Sequence, residues 1–232
     1  MSHLVNGFCV KDITALKEVV QAQCPELELI ESKTYRTWIT DNGRLVGDHP
    51  LPGIYQAVLA HRLKEKGVDV RSLAKSMGFE LPENILDLET KPWNLEQQRK
   101  LLQNEAVKAA YTKLTTEEMS KDAKYCIRYR PELNKKSAYE IGLVPHPFRK
   151  GEYVMLTDFY AQGNGLLSAK GLGAHKSKAG VDSWANELKQ SYSVRAAERV
   201  IQREMANRNP AYQQVQKRTL PDGRIVIEVK GR

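Results

Sequence analysis

Residues Ala161 to Gly180 read AQGNGLLSAKGLGAHKSKAG, with five glycines, three lysines, one histidine and no acid. Lysines on a flexible loop ahead of a helix suit an anion. The free N–H groups at a helix N-terminus carry partial positive charge, and Lys170, Lys176 and Lys178 add whole charges to it. The glycines stand as Gly163-Asn164-Gly165 and Gly171-Leu172-Gly173. That spacing is neither a Walker A loop nor a dinucleotide-binding GxGxxG. The expectation is therefore a cationic loop that lies on a phosphate backbone, with a plain solvated connection as the alternative.

A second group of cations sits on and around a strand. In Tyr125-Cys126-Ile127-Arg128-Tyr129-Arg130, alternation places Tyr125, Ile127 and Tyr129 on the core face and leaves Arg128 and Arg130 to contact phosphate. Lys135, Lys136, Arg149 and Lys150 extend the same set. Tyrosines beside arginines on a sheet are also how single strands are held, at about 1–3 kcal/mol per stacked base. The motifs of an RNA-recognition domain are missing.

Other chemistry finds less support. His146 lies in Pro145-His146-Pro147 and His175 in the lysine loop. Cys126 with a histidine would make a nucleophile–base pair, and His146, His175 and Asp158 would make a metal site. Nothing in the spacing brings either set together, so we assign no catalytic residue, metal ligand or cofactor. Asp69 to Gly78, followed by Phe79-Glu80-Leu81, has the spacing of half a helix-turn-helix, but it falls in a neutral stretch.

Those residues need elements to position them. Strands are expected at His3 to Val10, Leu27 to Leu29, Tyr35 to Ile39, Tyr125 to Arg130, Ala138 to Val144 and Tyr153 to Thr157. Asp41-Asn42-Gly43 is a hairpin turn. A hairpin of Gln214 to Thr219 and Arg224 to Lys230 closes the chain. Asp12 caps a helix over 13–23, Ile54 to Lys66 and Asp69 to Met77 are helices closed by glycine, and Asn94 caps one running through Tyr111. Thr115 with Glu118 reads as a capping box. A long helix from Ser183 to Asn207 carries Trp184, Leu188, Tyr192, Ala196 and Val200 at helical spacing. The pattern is α+β: an antiparallel sheet with helices packed on one face, interrupted by a mainly helical insertion.

The charge is lopsided. Residues 1–123 sum to −2 and residues 124–232 to +10, an asymmetry typical of a polyanion binder. Three cysteines without a CxxC pair argue against a disulfide framework or structural zinc. No apolar run approaches the roughly 20 residues that span a bilayer, and the N-terminus is too polar for a signal peptide. A soluble cytoplasmic protein is the expectation.

Several segments in order resemble a known family. They are the MSH strand followed by Asp12-Ile13-Thr14-Ala15-Leu16-Lys17; Tyr139-Glu140-Ile141-Gly142; Asp158-Phe159-Tyr160; Leu188-Lys189-Gln190-Ser191-Tyr192; and Asp222 to Val229. The set resembles the hypothetical chloroplast reading-frame (ycf) family, member thirty-five, whose bacterial and phage relatives have no assigned function. The resemblance covers 1–31 and 124–232 and implies a small intracellular α+β domain. It leaves 32–123 as a mostly helical insertion and brings no catalytic residues. The functional expectation is a non-enzymatic accessory protein that binds DNA or RNA, single-stranded and with little sequence preference. The alternatives are an adaptor docking on a polymerase or ATPase through an apolar helical face, and a phosphate-handling enzyme using the loop.

Overall fold

The computed structural model describes residues 3–36, 50–115, 123–134, 140–159, 178–208, 214–220 and 225–230. The fold is α+β. Five strands form an antiparallel sheet: β1 (His3–Val10), β2 (Leu27–Glu31), β3 (Tyr125–Tyr129), β4 (Ile141–Pro145) and β5 (Tyr153–Phe159). Their order is β1-β5-β4-β3-β2, so β2 to β5 form a meander and β1 adds beside β5. The register of β1 against β5 shifts between Asn6 and Cys9. Strand alternation buries both faces. Cys126, Val144, Val154 and Leu156 point one way; Leu29, Ile127, Ile141, Leu143 and Met155 point the other, and all are buried.

The chain divides into two compact units, residues 1–11 with 26–181 and residues 12–25 with 182–232. This division follows other lines than the expected domain and insertion. In the first unit, helices α2 (Gly53–Glu65), α3 (Val70–Ser76), α4 (Leu95–Leu101) and α5 (Glu105–Lys113) share one hydrophobic core with the sheet. Ile54, Leu59, Leu63, Leu101 and Val107 pack in the same cluster as Cys126, Val144, Val154 and Leu156. The residues read as an insertion are therefore the layer that covers one face of the sheet. Two buried glutamines brace this layer. Gln56 Nε2 donates to Leu51 O (2.9 Å) and Trp93 O (3.1 Å), and Gln56 Oε1 accepts from Trp93 N (2.8 Å). Gln98 Oε1 accepts from Leu51 N (2.7 Å).

Local chemistry sets the helix ends. Asp69 and Asn94 cap as expected, and Asn94 forms a reciprocal capping box with Gln97. Gly78 ends the α3 turn at φ +83°, a conformation open to glycine. The expected helix from Asn94 to Tyr111 is two helices, because Asn104 takes the N–H groups of Ala106 and Val107 and restarts it. Glu118, the other half of the expected capping box, lies outside the described residues. The Thr115 hydroxyl donates back to Tyr111 O (3.0 Å) and Thr112 O (3.1 Å). The helix-turn-helix spacing also fails: Phe79 onward leads only into a five-residue 3-10 helix, Ile85–Glu89. Tyr35 and Arg36 form no strand, and residues 37–49, with the expected Asp41–Gly43 hairpin, lie outside the described residues.

In the second unit, α1 (Ile13–Gln23) buries Ala15, Leu16, Val19 and Val20, and α6 (Lys178–Arg208) buries Leu188 and Tyr192. The expected apolar stripe on α6 stops there, since Val200 is 54% exposed. Beyond it, arginines meet α1. Strands β6 (Gln214–Thr219) and β7 (Ile225–Lys230) pair with each other alone, as a separate two-stranded sheet.

Candidate nucleic-acid interface

Five arginines of the basic half, Arg128, Arg149, Arg195, Arg199 and Arg203, pair with carboxylates of the acidic half. Arg128 Nε donates to Glu28 Oε1 at 2.8 Å, and the two residues face each other in the β2–β3 ladder. Arg149 Nη2 lies 2.7 Å from Glu89 Oε2, and its Nε lies 2.9 Å from Glu152 Oε2. In the second unit Arg195 pairs with Glu18, and Arg199 lies 2.9 Å from Asp12 and 3.1 Å from Glu18. Arg203 lies 3.1 Å from Asp12. The +10 excess counted along the chain is thus partly neutralised in space.

Asp12 carries three roles at once. One oxygen accepts from Ala15 N (3.0 Å) to cap α1, the other receives Arg199 and Arg203, and its own N–H donates to Tyr192 Oη (3.1 Å). Burial alone would raise this carboxyl. The Ala15 N–H, then Arg199 and Arg203, outweigh it and hold the group below its ordinary 3.8.

Arg149 belongs to a cluster that the sequence did not bring together. His146 is buried, with its ring Nε2 2.7 Å from Glu89 Oε1. Its Nδ1 accepts two backbone donors, Phe148 N (3.1 Å) and Arg149 N (3.0 Å). Arg149 Nη2 also reaches Cys9 Sγ at 3.2 Å. Cys9, Glu89 and His146 offer ligand atoms within 4.8 Å of one another, close enough to hold a metal ion. The hydrogen bonds argue otherwise. Two N–H donors on Nδ1 require the proton on Nε2, which then donates to Glu89 and has no lone pair for a metal. The Arg149 guanidinium already supplies the cation between thiol and carboxylate. The arrangement is a charge-balanced brace holding the Pro145–Glu152 turn to the helical layer.

The surroundings of Cys9 and Cys126 do not activate either thiol as a nucleophile. Burial pushes Cys9 above its ordinary 9.0 against the opposing pull of Arg149. Burial, and then Glu140, push Cys126 up to about 12. Both stay protonated at neutral pH. The imagined pairing of Cys126 with His146 is not made; Cys9 is the thiol in the His146 cluster. Of the residues weighed with His146 as a metal site, His175 lies outside the described residues.

Of the nine cations read from the sequence, those whose side chains are described do not converge. Arg128 and Arg149 are paired, and Arg130 follows the far end of β3 from the Pro145–Glu152 turn. Lys135, Lys136, Lys170 and Lys176 lie outside the described residues, and Lys178 is described only as the first residue of α6. Lys150 is exposed in the turn between β4 and β5.

Topology gives Lys150 other company. At one end of the sheet β1 ends beside the start of β5, β4 ends, β3 begins and β2 ends. Lys11 follows β1, Lys150 sits in the β4–β5 turn, Lys124 precedes β3 and Lys33 lies just past β2. Backbone bonds fix these positions: Lys124 N to Leu143 O (2.9 Å), Ser32 N to Lys124 O (3.1 Å) and His146 N to Glu152 O (2.8 Å). All four lysines are exposed. Four strand spacings of about 4.8 Å make this rim about 19 Å long. Lys11 pairs with Glu152 at 2.9 Å; Lys33, Lys124 and Lys150 make no ion pair among the described residues. Acids near this rim among the described residues include Glu152, held by Lys11 and Arg149, and Glu31 at the end of β2.

Two half-buried tyrosines lie at the same end. Tyr125 and Tyr153 approach each other from β3 and β5 across the sheet face at the last residues of β4, with ring centroids 5.3 Å apart and planes at 80°. Burial, and then Tyr153, raise the Tyr125 phenol above its ordinary 10.0, so it remains neutral at pH 7.

Sequence reasoning found Lys150 and missed Lys11, Lys33 and Lys124. Each stands within two residues of a strand end, which was legible; that β1 joins β5 and aligns those ends was not. No family model, curated protein or solved structure matches the chain. Among the described residues, no helix is long and apolar enough to cross a membrane.

Proposed function

We propose that this protein is a non-enzymatic accessory factor that binds nucleic acid at the lysine-lined end of its five-stranded sheet. The observation that carries the reading is the row Lys11, Lys150, Lys124 and Lys33, exposed along one sheet end while the neighbouring arginines are held by carboxylates. Lysines presented as point charges at about strand spacing suit a backbone and carry no base preference. Lys135, Lys136, Lys170, Lys176 and Lys178 remain in the proposal as sequence-based contacts.

A protein adaptor is the weaker reading. It called for an apolar docking face on the helices, but those apolar residues pack against the sheet. Among the described residues, the only large hydrophobic side chains left exposed are Leu133 and Val200. A cavity of about 470 Å³ on the helical layer is lined by Lys64 and Arg71 against Asp69 and Glu83, a balance that selects no ion.

The test is binding of a short fluorescent single-stranded oligonucleotide across a salt series. The proposal expects affinity at low salt that falls steeply as salt rises, because counterions are released. Absence of binding at low salt, or affinity indifferent to salt, ends it.

A further inference from the structure

The lysine rim accounts for contact with a backbone and says nothing about bases. Resting on that reading, we infer that Tyr125 and Tyr153 are the base-contacting pair of the same surface and make it selective for unpaired bases. Three observations combine. The rings sit at the sheet end that carries Lys124 and Lys150, one residue from Lys124 on β3 and three from Lys150 in the turn before β5. Both are half-buried, so neither is sealed in the core. Their edge-to-face contact at 5.3 Å and 80° holds one ring against the other, so little rotamer freedom remains to be lost on binding.

A rigid, neutral aromatic surface beside a cationic rim is the arrangement that holds single strands, with bases on the rings and phosphates on the lysines. A duplex keeps its bases stacked on one another and offers the rings nothing. Deoxyribose and ribose strands share this chemistry, and both are used as probes.

The full-length chain is titrated with fluorescent single strands of DNA and RNA and with an abasic strand of equal length and charge. The wild type should bind the natural strand about tenfold tighter than the abasic one, the scale of stacking one base. Tyr125→Leu with Tyr153→Leu should abolish that difference. Tyr125→Phe with Tyr153→Phe should keep it, which separates loss of stacking from loss of fold. Equal binding of natural and abasic strands by the wild type overturns the inference while the rim reading stands. A preference retained by the double leucine variant overturns it too. Failure to bind any strand at low salt removes the rim reading itself.

Discussion

Arg128 and Glu28 face each other across the β2–β3 ladder, 2.8 Å apart, although a hundred positions separate them in the chain. A basic residue of the positive half is matched to an acid of the negative half. The same matching recurs at Arg149 with Glu89 and at Arg199 with Asp12. Charge counted along a sequence therefore overstates the charge a surface presents. Arg128→Ala should leave oligonucleotide affinity within about twofold. Its stability cost should be at most about 1 kcal/mol, since the pair is partly solvated. Denaturant unfolding and anisotropy check the two halves; a tenfold loss of binding would restore Arg128 as a phosphate contact.

Gly142 and Tyr35 make the tightest demand in the sheet. A Cβ on Gly142 would lie 2.5 Å from Tyr35 Cδ1 and Cε1, and Tyr35 is itself buried. Gly142→Ala must displace the ring. The expected loss is about 1–3 kcal/mol, as for other overpacked cores. Pairing it with Tyr35→Leu should recover part of that loss. A neutral Gly142→Ala would mean the ring moves freely.

Asp12 makes the second unit acid-sensitive. Its carboxyl is held below 3.8, so the stability it contributes is full above that value. The contribution is lost as pH falls through the lowered folded-state value. Asp12→Ala removes the cap and two arginine partners together. It should cost about 1–2 kcal/mol at pH 7, the upper end of the range for a helix cap. Below pH 3.8 the gap between the variant and the wild type should narrow as pH falls. Urea midpoints at pH 7 and pH 3 measure this, and a constant gap between the two proteins contradicts it.

What the sequence made legible was local. Asp12, Asp69 and Asn94 announced helix starts because a cap is a matter of three or four neighbouring residues. Tyr125 to Tyr129 read as a strand by alternation, though Cys126 is as buried as Ile127 because both sheet faces are covered. The helical layer read as an insertion, because nothing local says that Ile54 and Leu63 pack with Val144 and Leu156. The candidate site was less legible still. Lys11, Lys33, Lys124 and Lys150 become neighbours only through strand order, and Cys9, Glu89 and His146 meet only through tertiary packing. The glycine-lysine loop, the most conspicuous feature of the sequence, lies largely outside the described residues.

The His146 cluster should behave as a brace and not as a metal centre. Zinc or a chelator should leave the melting temperature unchanged. Glu89→Gln should lower stability by about 1–3 kcal/mol, because it removes the carboxylate that His146 and Arg149 share while Arg149 keeps Glu152. A zinc-dependent rise in melting temperature that disappears in Cys9→Ser would reverse the tautomer argument and assign the cluster to a metal.

The central claim is that lysines at one sheet end, and not the paired arginines, meet the phosphates. Its most direct measure is the slope of log affinity against log salt for a single strand. Each phosphate contact contributes about −0.7 to that slope. Lys124→Ala with Lys150→Ala should therefore flatten it by about 1.4, while Arg128→Ala leaves it unchanged. An unchanged slope in the lysine variant, or a flattened one in Arg128→Ala, contradicts the account.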